Sequence, residues 1–140
     1  MWSTDYSIEI PVPAEVVWPL LRDVEHWADW NDGVESIALD GPVAVGTSFV
    51  MTPPGEDPIT SSIVALREGA EISDLTEFEG LQITVRHLVT AAGAGSVVIY
   101  RITVAGPVPD EVAREVGEMV SADFPDVLAN LRARAVDRAG

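Results

Sequence analysis

Ile8-Glu9-Ile10-Pro11-Val12-Pro13-Ala14-Glu15-Val16-Val17-Trp18-Pro19-Leu20-Leu21-Arg22-Asp23-Val24-Glu25-His26-Trp27-Ala28-Asp29-Trp30 is the stretch whose reading decides the fold. Tyr6, Ile8 and Ile10 alternate with Ser7 and Glu9, the period of a half-buried strand. Pro11 and Pro13 end that strand. From Ala14 to Asp23 the period changes, and Val17, Trp18 and Leu21 fall on one helical face. Pro19 removes a backbone donor inside this segment, which predicts a short or kinked helix. Val24–Trp30 reads as a second short helix or turn, with Trp27 and Trp30 at i, i+3. Asn31-Asp32-Gly33 closes it with turn chemistry.

Short strands follow at regular spacing, over Val34–Leu39, Thr47–Thr52, Ile59–Arg67, Glu71–Glu77, Leu81–Ala91 and Ser96–Val104. Gly41-Pro42, Pro53-Pro54-Gly55, Glu68-Gly69, Glu79-Gly80 and Gly93-Ala94-Gly95 separate them. Connections this short favour an antiparallel meander. Pro107 and Pro109 stop the last strand, and Asp110 opens a long helix to about Arg134. Its apolar stripe runs through Val112, Val116, Met119, Val120, Phe124, Val127, Leu128, Leu131 and Ala135, and must cover a sheet. Pro125 lies within it and should kink or split the helix. The expected architecture is α+β: a seven-stranded antiparallel curved sheet around a long C-terminal helix, with two short helices after the first strand.

The 140 residues carry eight cations, all Arg, against 23 acidic residues, a net charge of −15. One domain over residues 1–140 suits that length, and 47% apolar residues are enough for a packed core. The acidity repels phosphate, so nucleic acid and anionic membrane surfaces are not expected partners. No Cys is present, which excludes thiol catalysis and thiolate metal sites. Met1–Ile10 has neither a basic region nor an apolar run, so no signal peptide is read there. No stretch approaches the ~18 apolar residues of a membrane span. The expectation is a cytoplasmic protein, monomer or homodimer, without membrane insertion.

The opening stretch resembles the START-like, helix-grip superfamily (SRPBCC), in its polyketide cyclase/dehydrase and lipid-transport branch. That family opens with a strand, a Pro and an amphipathic helix containing Val-Trp, then an Asp and two aromatics three residues apart. Here these are Ile8–Pro11, Val17-Trp18, Asp23, Trp27 and Trp30. Gly41-Pro42, Val45-Gly46-Thr47, Val104-Ala105-Gly106-Pro107 and Phe124-Pro125 resemble further family landmarks, so the likeness covers the whole chain. Pro19 departs from the helix former usual at its position. The resemblance implies an apolar cavity between the concave sheet and the long helix. Its mouth would lie near Trp30. It specifies fold far better than function, because the family spans cyclases, lipid carriers and hormone-binding proteins.

Strand alternation says which residues would line that cavity. Leu81, Ile83, Val85, His87 and Val89 share one face of the sixth strand; Val98, Tyr100, Ile102 and Val104 share one face of the seventh. A turn centred on Gly93-Ala94 makes His87 and Tyr100 cross-strand partners. Asp74, one diagonal step away, either joins them or stands in solvent. Together the three would offer a base, a carboxylate to orient it and a hydroxyl for an enolate. His87 and Tyr100 serve equally as ligand-orienting groups, or as structure. Trp30, Phe49, Met51, Ile83, Val85, Val98 and the adaptable Met119 complete the expected ligand contacts. Small residues at Ala105, Ala113, Gly117 and Ala122 suggest empty space beside them.

No metal or cofactor is expected. The only histidines, His26 and His87, lie on different elements. Asp29, Asn31, Asp32 and Glu35 lack the spacing of a calcium loop, and Gly93-Ala94-Gly95 lacks a third glycine and a following helix. Three readings remain open. The first is binding of a lipid, isoprenoid or polyketide-like molecule. The second is a cofactor-free cyclase or dehydratase using His87 and Tyr100. The third is a partner-docking domain with a filled interior.

Overall fold

Alternating side chains build one antiparallel sheet, in the order β1-β7-β6-β5-β4-β3-β2, in the computed structural model, which describes residues 1–140. The strands are β1 (Trp2–Ile10), β2 (Ser36–Leu39), β3 (Ser48–Thr52), β4 (Ile59–Arg67), β5 (Glu71–Phe78), β6 (Leu81–Ala92) and β7 (Gly95–Ala105). Strand β1 starts earlier than its alternation predicts, because it pairs with β7 along its whole length, from Trp2 opposite Val104 to Ile10 opposite Ser96. The β5–β6 turn has both central residues at positive φ, Glu79 at 50° and Gly80 at 82°, matching the right-handed twist of the strands. A bulge in β4 between Ile63 and Ala65 bends the sheet.

The helices are α1 (Ala14–Arg22), α2 (Asp110–Val120) and α3 (Phe124–Ala139), with a 3-10 segment at Val24–Asp29. Pro19 is accommodated inside α1, which stays short. The expected long C-terminal helix is split. Pro125 has no N–H to give the Ser121 carbonyl four residues back and its ring would clash with that carbonyl, but it suits the first turn of a new helix, so the chain turns through Ser121–Asp123 and restarts. Ser121 anchors the break: its hydroxyl donates to the Gly117 carbonyl at 2.7 Å and lies 2.9 Å from the Tyr6 hydroxyl.

The split changes what each half covers. The main core joins Val17, Trp18, Leu20 and Leu21 of α1, Trp27, Phe49 and Tyr100, and Val127, Leu128, Leu131 and Ala135 of α3. Burial of each such large apolar side chain contributes about 1.5–3 kcal/mol. A smaller cluster of Leu81, Ile83, Val85, Ile102, Val104 and Ala113 lies under α2. Helix α2 turns Ala113 and Gly117 inward and leaves Val112, Met119 and Val120 exposed. A Cβ on Gly117 would sit against the Trp2 ring. The small residues of α2 thus admit Trp2, correcting the expectation of empty space beside them; Ala122 is exposed and Ala105 half-buried.

The convex face is charged and closed. Glu71, 4% exposed, receives Arg86 at 2.8 and 3.0 Å, Arg67 at 3.0 Å and the Ser73 hydroxyl at 2.7 Å. These donors, Arg86 foremost, hold its carboxyl down at about 2. No helix is long and apolar enough to cross a membrane.

Candidate functional site

Strand register brings the three polar candidates together on the concave face. His87 is paired directly with Tyr100 and Asp74 with Val85. Asp74 points inward, its side chain 13% exposed, with Oδ2 3.9 Å from His87 Nδ1. That nitrogen donates to the Ile72 carbonyl at 2.9 Å, which fixes the tautomer and leaves Nε2 with a free lone pair. Beside them Ser61 and Thr76 share a hydrogen bond of 2.6 Å across β4 and β5.

Burial sets the charge state. It pushes the Asp74 carboxyl up to about 7 and the His87 imidazole down to about 4. Tyr100 is raised too, first by burial and then by the nearby Asp74 and Asp123 carboxyls. Between about pH 4 and 7 the uncharged forms of all three predominate. The Asp74 carboxyl, the Tyr100 hydroxyl and His87 Nε2 make no hydrogen bond to protein. Yet no buried polar side-chain atom lacks both a partner and accessible surface, so each of the three keeps a face that a water molecule can touch.

The protein's own rings occupy much of the interior where an open cavity is expected. Tyr6, Phe124, Tyr100, His87 and Trp27 run in an unbroken chain with centroids 5.5, 5.4, 4.5 and 4.9 Å apart. Trp27 then meets Trp30 at 6.5 Å and Phe49 at 6.2 Å. Most contacts are edge-to-face, each contributing about 0.5–1.5 kcal/mol beyond the area buried. Trp27 is locked by donating its indole N–H to the Leu21 carbonyl at 3.0 Å.

The other expected contacts separate. Phe49 and Trp30 join the ring chain, and Met51 packs at the edge of the same core. Val98 is fully buried in it, between Ile8 and Val89. Ile83 and Val85 instead belong to the cluster under α2, because the split helix divides the concave face in two. Met119 does not face the interior: it is 68% exposed on the outer side of α2. Two links escaped the sequence reading. Phe124 was visible as part of a stripe and of a family landmark but not as a ring beside Tyr100, and nothing local ties Tyr6 to Ser121, 115 residues away. A surface cleft of about 330 Å³ lies outside the sheet–helix interior. Trp30 and Ala133 line it beneath Asp29, Asp32, Asn130, Arg134 and Asp137.

A sequence profile of the family described as polyketide cyclase/dehydrase and lipid transport matches residues 1–136. No functionally curated protein matches the chain. Among solved structures, the di-domain ARO/CYC StfQ from the steffimycin biosynthetic pathway is similar at 19% identity and a TM-score of 0.79, over 99% of this chain and 51% of that one. Truncated norcoclaurine synthase from Thalictrum flavum is similar at 17% identity and a TM-score of 0.76, over 96% and 92%. A START superfamily protein from Mycobacterium smegmatis is similar at 13% and 0.75, over 96% and 97%. Identities this low establish a shared fold and no shared chemistry.

Proposed function

Because the chain belongs to the polyketide cyclase/dehydrase and lipid-transport family, we propose that it binds an apolar or amphipathic small molecule between its concave sheet and α3. One observation carries the reading. Asp74, His87 and Tyr100 stand side by side on the inner wall, and the Asp74 carboxyl, His87 Nε2 and the Tyr100 hydroxyl make no hydrogen bond to protein. Buried polar groups are ordinarily paired, and a few unpaired ones on an apolar wall are what orients a ligand. The ring chain is the movable part. Phe124 sits directly after the α2–α3 break and is only half-buried, so its displacement would open the way to Tyr100.

A second reading is favoured by the fixed His87 tautomer. With Nδ1–H held by Ile72, Nε2 is the acceptor, as a general base requires. Tyr100 would then stabilise a developing enolate in a cyclase or dehydratase.

A thermal-shift screen against fatty acids, isoprenoids, flavonoids and aromatic polyketides tests the binding reading, using protein first freed of co-purified apolar molecules. A ligand at about 100 times its dissociation constant adds about 2.7 kcal/mol, a rise of about 5–15 °C in a domain of this size. A rise confined to one chemical class supports binding. No rise with any class would refute it. Turnover lost in His87→Ala while binding persists would select the enzyme.

A further inference from the structure

Resting on that reading, we infer that the interior selects neutral oxygen-bearing molecules (ketones, phenols or alcohols) and rejects carboxylates, phosphates and ammonium ions. The chain has no Lys, and none of its eight Arg is buried. Arg67, Arg86 and Arg101 are committed to Glu71 and Asp5 on the convex face. Arg22 is held by Glu68 outside α1, and Arg134 lies near Asp29 on the surface. His26 is exposed on Asp23. The only nitrogen base on the inner wall is therefore His87, which burial keeps neutral.

An anionic headgroup brought to this wall would meet an acid and a phenol, with no cation to offset its lost hydration. Two neutral donors there do not replace a counter-ion, and a charge buried without one costs far more than a neutral group. An ammonium ligand would fare little better. Asp74 is the one possible counter-ion, and no buried donor supports its ionised form, since the nearest N–H is already given to Ile72. A lone buried ion pair without further hydrogen bonds does not repay desolvation. A neutral carbonyl or hydroxyl suits every group present. Protonated Asp74 and Tyr100 donate, His87 Nε2 accepts, and Ser61 and Thr76 extend the polar strip along β4 and β5.

The test uses the unmodified protein and three matched probes: 2-naphthol, 2-naphthoate and 2-naphthylmethylammonium. At about pH 6 the phenol is neutral, the other two are charged and Asp74 is still mostly protonated. Calorimetric titration is expected to show 2-naphthol binding at least about tenfold more tightly than either ion, with the gap set by the cost of burying unpaired charge. Equal or tighter binding of naphthoate would overturn the inference while leaving an apolar binding site in place. Tighter binding of the ammonium would overturn it in the opposite sense and make Asp74 a counter-ion. Binding of none of the three would overturn both the inference and the proposed function.

Discussion

His87 faces Tyr100 across β6 and β7 with ring centroids 4.5 Å apart and planes at 83°. The pair sits beside the Asp74 carboxyl, and the two titratable neighbours have opposite linkage to stability. His87 is depressed from 6.5 to about 4, so its contribution is complete above pH 6.5 and is lost as pH falls toward 4. Asp74 is raised from 3.8 to about 7, so its contribution is complete below pH 3.8 and is lost as pH rises toward 7. Each is on the order of 3 kcal/mol, and between pH 4 and 6.5 they offset one another.

Urea unfolding across that window should therefore give a nearly level profile for the unaltered protein. In Asp74→Asn the unfolding free energy should rise with pH by about 2–3 kcal/mol. In His87→Asn it should fall with rising pH by a similar amount. Two variant profiles parallel to the parent would show that neither group is held neutral in the folded protein.

Gly117→Ala places a methyl group against the Trp2 ring, which must then leave its place over α2. Overpacking of this kind costs about 1–3 kcal/mol. The companion variant Trp2→Ala, Gly117→Ala should cost less than the sum of its two single changes, measured by thermal or urea unfolding. Additive losses would mean that the two residues do not touch.

Glu71→Gln removes the charge that Arg67, Arg86 and Ser73 converge on, without opening the interior. Both arginines are partly exposed and can hydrate, so the expected loss is about 1–3 kcal/mol at neutral pH. The carboxyl of Glu71 is lowered from 4.5 to about 2, so its stabilisation is present above pH 4.5 and fades as pH falls toward 2. The gap between parent and variant should accordingly narrow in that range. A constant gap would assign the loss to packing.

Met119→Ser alters an exposed side chain of α2. Stability should change by no more than about 0.5 kcal/mol, and the affinity for any ligand of the interior should be unaltered. A clear loss of affinity would place part of the binding surface on the outside of α2.

Much of the fold was legible because its signals are local. Alternation in Leu81–Ala91 and Ser96–Val104, with a turn between them, was enough to pair His87 with Tyr100 and put Asp74 opposite Val85. Pro125 announced the helix break but not its consequence. Once the chain turns at Ser121–Asp123, the stripe from Val112 to Val120 no longer continues the inner face of α3, and Met119 swings outward. The contact of the interior rings with one another was beyond sequence pattern altogether. A row of inward rings reads the same whether the rings stand apart around a cavity or pack against one another, and only the distances from Tyr6 to Trp30 distinguish the two.

The central claim is that the ring chain parts to admit a neutral apolar molecule beside Asp74, His87 and Tyr100. The direct measurement is an NMR titration with 2-naphthol, following the Trp27 indole, the His87 and Tyr100 rings and the Phe124 ring. Saturable shifts are expected at all four, with contacts from the naphthol protons to Tyr100 and Phe124. Shifts confined to the outward residues of α2 or to the cleft around Asp29 and Arg134, with the four rings unmoved, would contradict the claim.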